Sequence, residues 1–169
     1  MADLAAAVDA GWAAADAERP EATIAYFREL RDAHPESARA IFEYAGSLDF
    51  AGREAEAAPV YEAAFAAGLD GDLLRQGLIQ YGSTLRNIGR HDAAVATLRE
   101  AVERFDGDDA ARAFLALALV DADRPREAVA TLLELALDGG ESANLRQYAR
   151  PLRAYARDLV EEREPAAER

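Results

Sequence analysis

The chain of 169 residues contains no cysteine, no lysine, two histidines, one methionine and one tryptophan. Without cysteine there is no disulfide framework and no thiolate chemistry. His34 and His91 stand in different parts of the chain with no ligand-type spacing, so no metal site is expected. The longest apolar run, Ala113 to Val120, is far short of the roughly 18 residues a membrane helix needs. Positive charge is scarce as well. Nineteen basic residues, all arginine, face 32 acidic ones, for a formal net charge of -13. Nucleic acid and anionic membrane are therefore excluded as expected partners, since both repel a negative surface. Met1-Ala2-Asp3-Leu4 lacks the positive start of a signal peptide, which makes the cytoplasm the expected location. A Gly-x-Ser-x-Gly elbow and a phosphate loop are both missing. No catalytic residues, no cofactor and no enzymatic activity are expected.

What is present is helical periodicity from end to end. Leu74, Leu78, Tyr81, Leu85 and Ile88 fall on one stripe, and Val95, Leu98, Val102 and Phe105 repeat the pattern one helix later. Strands are not expected, because β-branched residues never alternate with polar ones. A longer period, of about 34 residues, is superimposed on the helical one. Leu78-Tyr81-Gly82-Leu85-Gly89-Ala94-Leu98-Ala101 is its clearest copy. Ile41-Tyr44-Ala45-Leu48-Gly52-Ala57-Tyr61-Ala64 precedes it, and Arg112-Leu115-Ala116-Leu119-Asp123-Ala128-Leu132-Leu135 follows. A degenerate first copy begins Ala7-Ala10-Gly11-Ala14. Small residues (Gly11, Ala45, Gly82, Ala116) recur where a first helix would meet its own second helix closely. Ala57, Ala94 and Ala128 recur on the second helices, and Phe27, Tyr61, Leu98 and Leu132 fill the space between pairs.

Punctuation supports four helix pairs, at about 4–34, 37–67, 72–105 and 108–138. Pro20 and Pro125 suit first helical turns. Gly52 and Gly89 suit the tight turn within a pair. Asp70 and the Asp106-Gly107-Asp108-Asp109 stretch supply N-caps. A final helix of about 141–163 follows, with Pro151 expected to kink or split it. Residues 1–163 read as one domain and 164–169 as a frayed tail.

This small-Gly-aromatic pattern resembles the tetratricopeptide repeat (TPR) superfamily over roughly residues 4–138. The stretch Gln80 to Arg90 is similar to a small bacterial subgroup, the "group 5" tetratricopeptide proteins. The resemblance implies an all-α, right-handed superhelix of four helix-turn-helix repeats with a C-terminal capping helix. It also implies a scaffold that binds a peptide or partner helix in a concave groove, and it points to homodimers. The first helices of successive pairs line that groove in such arrays. Projection onto this chain selects Arg39, Phe42, Glu43, Phe50, Gln80, Ser83, Arg86 and Asn87 as peptide-binding candidates, with Trp12, Asp49, Gln76, Phe114 and Asp121 on the same face. Gln80, Ser83, Arg86 and Asn87 lie three or four apart, opposite the Leu78-Tyr81-Leu85 stripe. Gln and Asn amides can pair with a peptide backbone, and Arg39 and Arg86 can fork a carboxylate.

Leu145, Tyr148, Leu152, Tyr155 and Leu159 form a narrow seam on the last helix. Such a seam either covers the last repeat, as solenoids require, or meets a second copy of the chain. The alternative function is accordingly a self-associating structural protein whose main contact is its own homodimer.

Overall fold

The computed structural model describes residues 4–139 and 143–161, and all elements among them are helices. The expected tail at 164–169 lies outside the described residues. The chain divides into two compact units, at Arg90 and His91.

The first unit holds α1 (Leu4–Ala13), α2 (Pro20–Ala33), α3 (Ala38–Phe50), α4 (Glu54–Ala66) and α5 (Gly71–Asn87). Pro20 opens α2, where its missing N–H is one of the unbonded donors of a helix start in any case. The Ser37 hydroxyl accepts from the Ala40 N–H at 3.3 Å and caps α3. Gly52 ends α3 with φ of 71°, and the Arg53 N–H closes onto the Leu48 carbonyl at 2.9 Å. Asp70 occupies the N-cap position of α5 but its side chain makes no cap bond. The first turn of α5 is tied instead by Asp72, which accepts from Arg75 at 2.7 Å and Gln76 at 2.6 Å. Ile24, Phe42, Ala45, Leu48, Ala57, Tyr61, Ala64 and Leu69 form one buried cluster. Ala45, Ala57, Phe27 and Tyr61 are buried, as their expected roles require.

The second unit holds α6 (His91–Arg104), α7 (Asp109–Asp121), α8 (Pro125–Gly139), α9 (Ala143–Gln147) and α10 (Ala149–Glu161). Asp108 caps α7 by accepting from the Ala111 N–H at 2.8 Å. Asp123 takes the place that Gly52 and Gly89 occupy in earlier copies. It adopts the same left-handed conformation, φ 56°, while the Arg124 N–H bonds the Leu119 carbonyl at 2.8 Å. Asp tolerates this region better than most L-residues. Ala94, Leu98, Leu115, Ala116, Leu119, Ala128 and Ala156 are buried here. Pro151 does split the last helix. Tyr148 forms the turn between α9 and α10, leaving Pro151 in the first turn of α10, where a proline is tolerated. The α10 helix packs on α8. Arg153 ties the two by an ion pair with Glu134 and another with Asp138 at 2.8 Å, while the Arg126 side chain donates to the Leu159 carbonyl at 3.1 Å. Leu132 departs from expectation. It is 48% exposed on the last repeat helix, whose ion pairs to α10 run from Glu134 and Asp138.

Candidate functional site

The first unit carries a cavity of about 410 Å3 built by α1, α3 and α5. Its lining includes Arg39, Phe42, Glu43, Phe50 and Gln80 from the expected peptide-binding set, joined by Val8, Asp9, Trp12, Gly46, Asp49 and Gln76. Helical spacing explains the grouping: each of 39, 42, 43, 46, 49 and 50 lies three or four residues from another of the set along α3. Ser83, Arg86 and Asn87 lie further along α5, outside the lining. Ser83 and Arg86 are half-buried and Asn87 is exposed. Asn87 donates to Glu54 at 3.4 Å and also accepts from Arg86 at 3.5 Å.

Aromatic rings wall the cavity. Trp12 packs against Phe27 in a tilted arrangement, with centroids 4.6 Å apart, and meets Phe50 edge-on at 6.0 Å. Phe50 is exposed, whereas Phe42 is buried and packs at 6.0 Å from the Tyr61 ring. The lone tryptophan is thus both a packing residue of the first helix pair and part of the cavity wall.

Two carboxylates stand in the cavity with unlike partners. Glu43 is 7% exposed. It accepts the Trp12 indole N–H at 2.6 Å and pairs with Arg39 at 3.3 Å. Arg39 is therefore held by its own helix rather than standing clear as a free fork for a carboxylate. Asp49 accepts from a neutral donor, the Tyr61 hydroxyl at 3.4 Å, while the neighbouring Thr84 hydroxyl donates to the Gln80 backbone carbonyl at 3.0 Å. The same phenol reaches Gln80 Oε1 at 3.0 Å, which leaves the Gln80 amide N–H groups for the cavity. Burial raises the Glu43 carboxyl above its ordinary value against the opposing effects of Trp12 and Arg39. Burial likewise raises Asp49, helped by the Glu54 charge. Sequence reasoning missed Asp9 and the Tyr61-Asp49-Gln80-Thr84 network. The only available signal for Asp9 was its place three residues before Trp12 in the worst-matched repeat.

These shifts have a consequence for stability. Both carboxyls bind a proton more tightly in the folded chain than in the unfolded one, so protonation favours the fold. That stabilisation is complete below the unfolded values, near 4.5 for Glu43 and 3.8 for Asp49, and is lost as pH rises through the raised folded values. The difference in melting temperature, Glu43→Gln minus wild type, is expected to grow more positive from pH 4 to pH 7. Thermal melts followed by circular dichroism check this, and a difference independent of pH would contradict it.

The second unit has a larger cleft, of about 540 Å3, lined by residues of α6, α7, α8 and α10. Its charges neutralise one another: Asp138 takes Arg153 and Arg112, each at 2.8 Å, and those two guanidiniums hold its carboxyl below the usual range. None of the expected peptide-binding residues lies there. The expected seam is divided between two faces. Leu152 and Leu159 are half-buried on the side of α10 that carries the buried Ala156, whereas Leu145, Tyr148 and Tyr155 are exposed. No group of three or more His, Cys, Asp or Glu able to hold a metal occurs among the described residues, and no helix among them is long and apolar enough to cross a membrane.

Helix pairs with small residues at the close contacts, glycine or aspartate at the inner turn, and a first-helix face that opens on a cavity define a helical repeat protein. The family model described as "Tetratrico peptide repeat" matches residues 38–159. The chain belongs to the tetratricopeptide repeat family. Among solved structures it is similar to YrrB, described as a TPR protein with an unusual peptide-binding site. Identity is 17%, the match covers 79% of this chain and 84% of that one, and the TM-score is 0.36. At that level nothing of YrrB is carried over to this chain. No curated protein matches.

Proposed function

We propose that the chain is a protein-interaction scaffold that takes a peptide or partner helix on the first-helix face of its first unit. The observation carrying this reading is the 410 Å3 cavity, which gathers Arg39, Phe42, Glu43, Phe50 and Gln80 behind an exposed aromatic edge. An aromatic anchor beside fixed polar groups is the usual composition of a site that concentrates binding energy. Ser83, Arg86 and Asn87 extend the polar surface along α5 for a segment longer than the cavity. The test is a displayed peptide library panned against the wild type, with selected peptides then measured on Phe50→Ala and on Arg86→Ala/Asn87→Ala. Binders that lose affinity on either folded variant support the site. A library that yields no binder, or binders indifferent to both variants, defeats it.

A second reading, self-association through α10, is favoured by Tyr148 at 57% and Tyr155 at 61% exposure. Tyrosines exposed to that degree suit a contact with a second copy better than a cap left in water. Mass by light scattering, compared between wild type and Tyr148→Ser/Tyr155→Ser, decides between dimer and monomer.

A further inference from the structure

We propose that the cavity of the first unit is a receptor for a cationic side chain, an arginine of the bound peptide. The inference rests on the peptide-scaffold reading and names the chemistry that the same site selects. Asp9, Glu43 and Asp49 place three carboxylates at the cavity against one cation, Arg39. That cation is committed to Glu43. Asp49 is the unbalanced group. Its one hydrogen-bond donor is a neutral hydroxyl, that of Tyr61 at 3.4 Å, the nearby charge acting on it is another carboxylate, Glu54, and no arginine pairs with it among the described residues. A carboxylate drawn out of water without a countercharge is costly, and an incoming cation offsets that cost directly.

The walls select among cations. Trp12 and Phe50 meet edge to face at 6.0 Å, presenting ring surface beside the carboxylates. A guanidinium stacks on an aromatic ring and forks a carboxylate with two parallel N–H bonds, whereas an ammonium does only part of this. The Gln80 amide, oriented by the Tyr61 hydroxyl on its Oε1, is left to meet the backbone of the segment carrying that arginine. The acidic charge of the whole chain draws such a segment toward the groove and repels an acidic one.

Trp12 is the sole tryptophan and lines the cavity, so its fluorescence reports occupancy. The probes are N-acetyl-arginine amide, its lysine counterpart, and the neutral isostere N-acetyl-citrulline amide, titrated at pH 7.5 in low salt. The arginine amide is expected to saturate the Trp12 signal in the millimolar range appropriate to so small a ligand. The lysine amide should bind more weakly, and the citrulline amide should not saturate. Asp49→Asn keeps an acceptor for the Tyr61 hydroxyl and removes an uncompensated charge, so it should melt at or above wild type, yet it should weaken the arginine amide by about tenfold. Salt should weaken binding to wild type more than to this variant. Equal binding of citrulline and arginine amides, an arginine amide that never saturates, or an Asp49→Asn protein that titrates like wild type overturns the proposal. Should Asp49→Asn fail to fold, the arginine–citrulline comparison on wild type still decides. Library peptides that bind the groove without a recurring arginine sink this inference alone and leave the scaffold standing. An arginine amide that saturates while no peptide is selected does the reverse.

Discussion

Tyr61→Ala is expected to cost about 3–5 kcal/mol, a large share of the total stability of a domain this size. Tyr61 is the largest fully buried side chain among the described residues and belongs to the first unit's buried cluster. Its ring lies 6.0 Å from Phe42 and 5.9 Å from Tyr81, so truncation opens a cavity between two aromatic neighbours. Its hydroxyl faces Gln80 and Asp49. Burial and the Asp49 charge push the phenol far above its usual range, so it stays protonated and donates at any working pH. Tyr61→Phe separates the two contributions. It keeps the ring and removes only the donor, for an expected cost of about 1–3 kcal/mol. Urea titrations read by Trp12 fluorescence follow the unit that contains both residues. Coincident midpoints for the two variants would show that the ring contributes nothing beyond its hydroxyl.

The helix pairs were legible because their determinants are local. Proline at a helix start, glycine at the inner turn and an alanine at each close contact act over a few residues, and their recurrence at one period makes coincidence improbable. Asp123 shows the limit of reading residue types alone. The left-handed turn is set by the bond from the Arg124 N–H to the Leu119 carbonyl, and an aspartate can serve it. The candidate site was legible only as a face. Positions 39, 42, 43 and 50 were placed together by helical spacing, and the Arg39–Glu43 pair is itself a local i,i+4 contact, but nothing local says that Glu43 also takes the Trp12 indole. The Trp12–Glu43 bond joins residues 31 apart, and the Tyr61–Gln80 bond joins residues 19 apart. Such pairings arise only after the helices are packed. Leu132 makes the same point from the other side. Its repeat position marks it as filler, yet it is half exposed although α10 packs on the same helix, because burial depends on which face of α8 that helix covers.

Gly11→Leu is expected to detach α1 from the rest of the first unit. A Cβ at this position would stand 2.5 Å from Tyr26 Cε1 and 2.8 Å from Phe27 Cζ. Tyr26 is 39% exposed and can swing outward, at the cost of the bond its hydroxyl donates to the Ala7 carbonyl at 2.7 Å. Phe27 has no such freedom, being fully buried and packed against Trp12. A single added methyl, Gly11→Ala, should therefore already cost about 1–3 kcal/mol through overpacking. The leucine exceeds what α1 can return, because among its residues only Val8 and Gly11 are buried. A helix of 10 residues does not persist alone in water once undocked. Local unfolding of α1 with the remainder intact is the outcome, since the buried cluster from Ile24 to Leu69 includes no residue of α1. Trp12 emission should shift to the red, and amide exchange should accelerate over residues 4–13 while residues 38–87 keep their protection. Val8, Asp9 and Trp12 leave the cavity with α1, so peptide capture should fail in a protein that is still largely helical. Unchanged Trp12 emission in Gly11→Leu would mean that α1 is held by contacts other than those at Gly11.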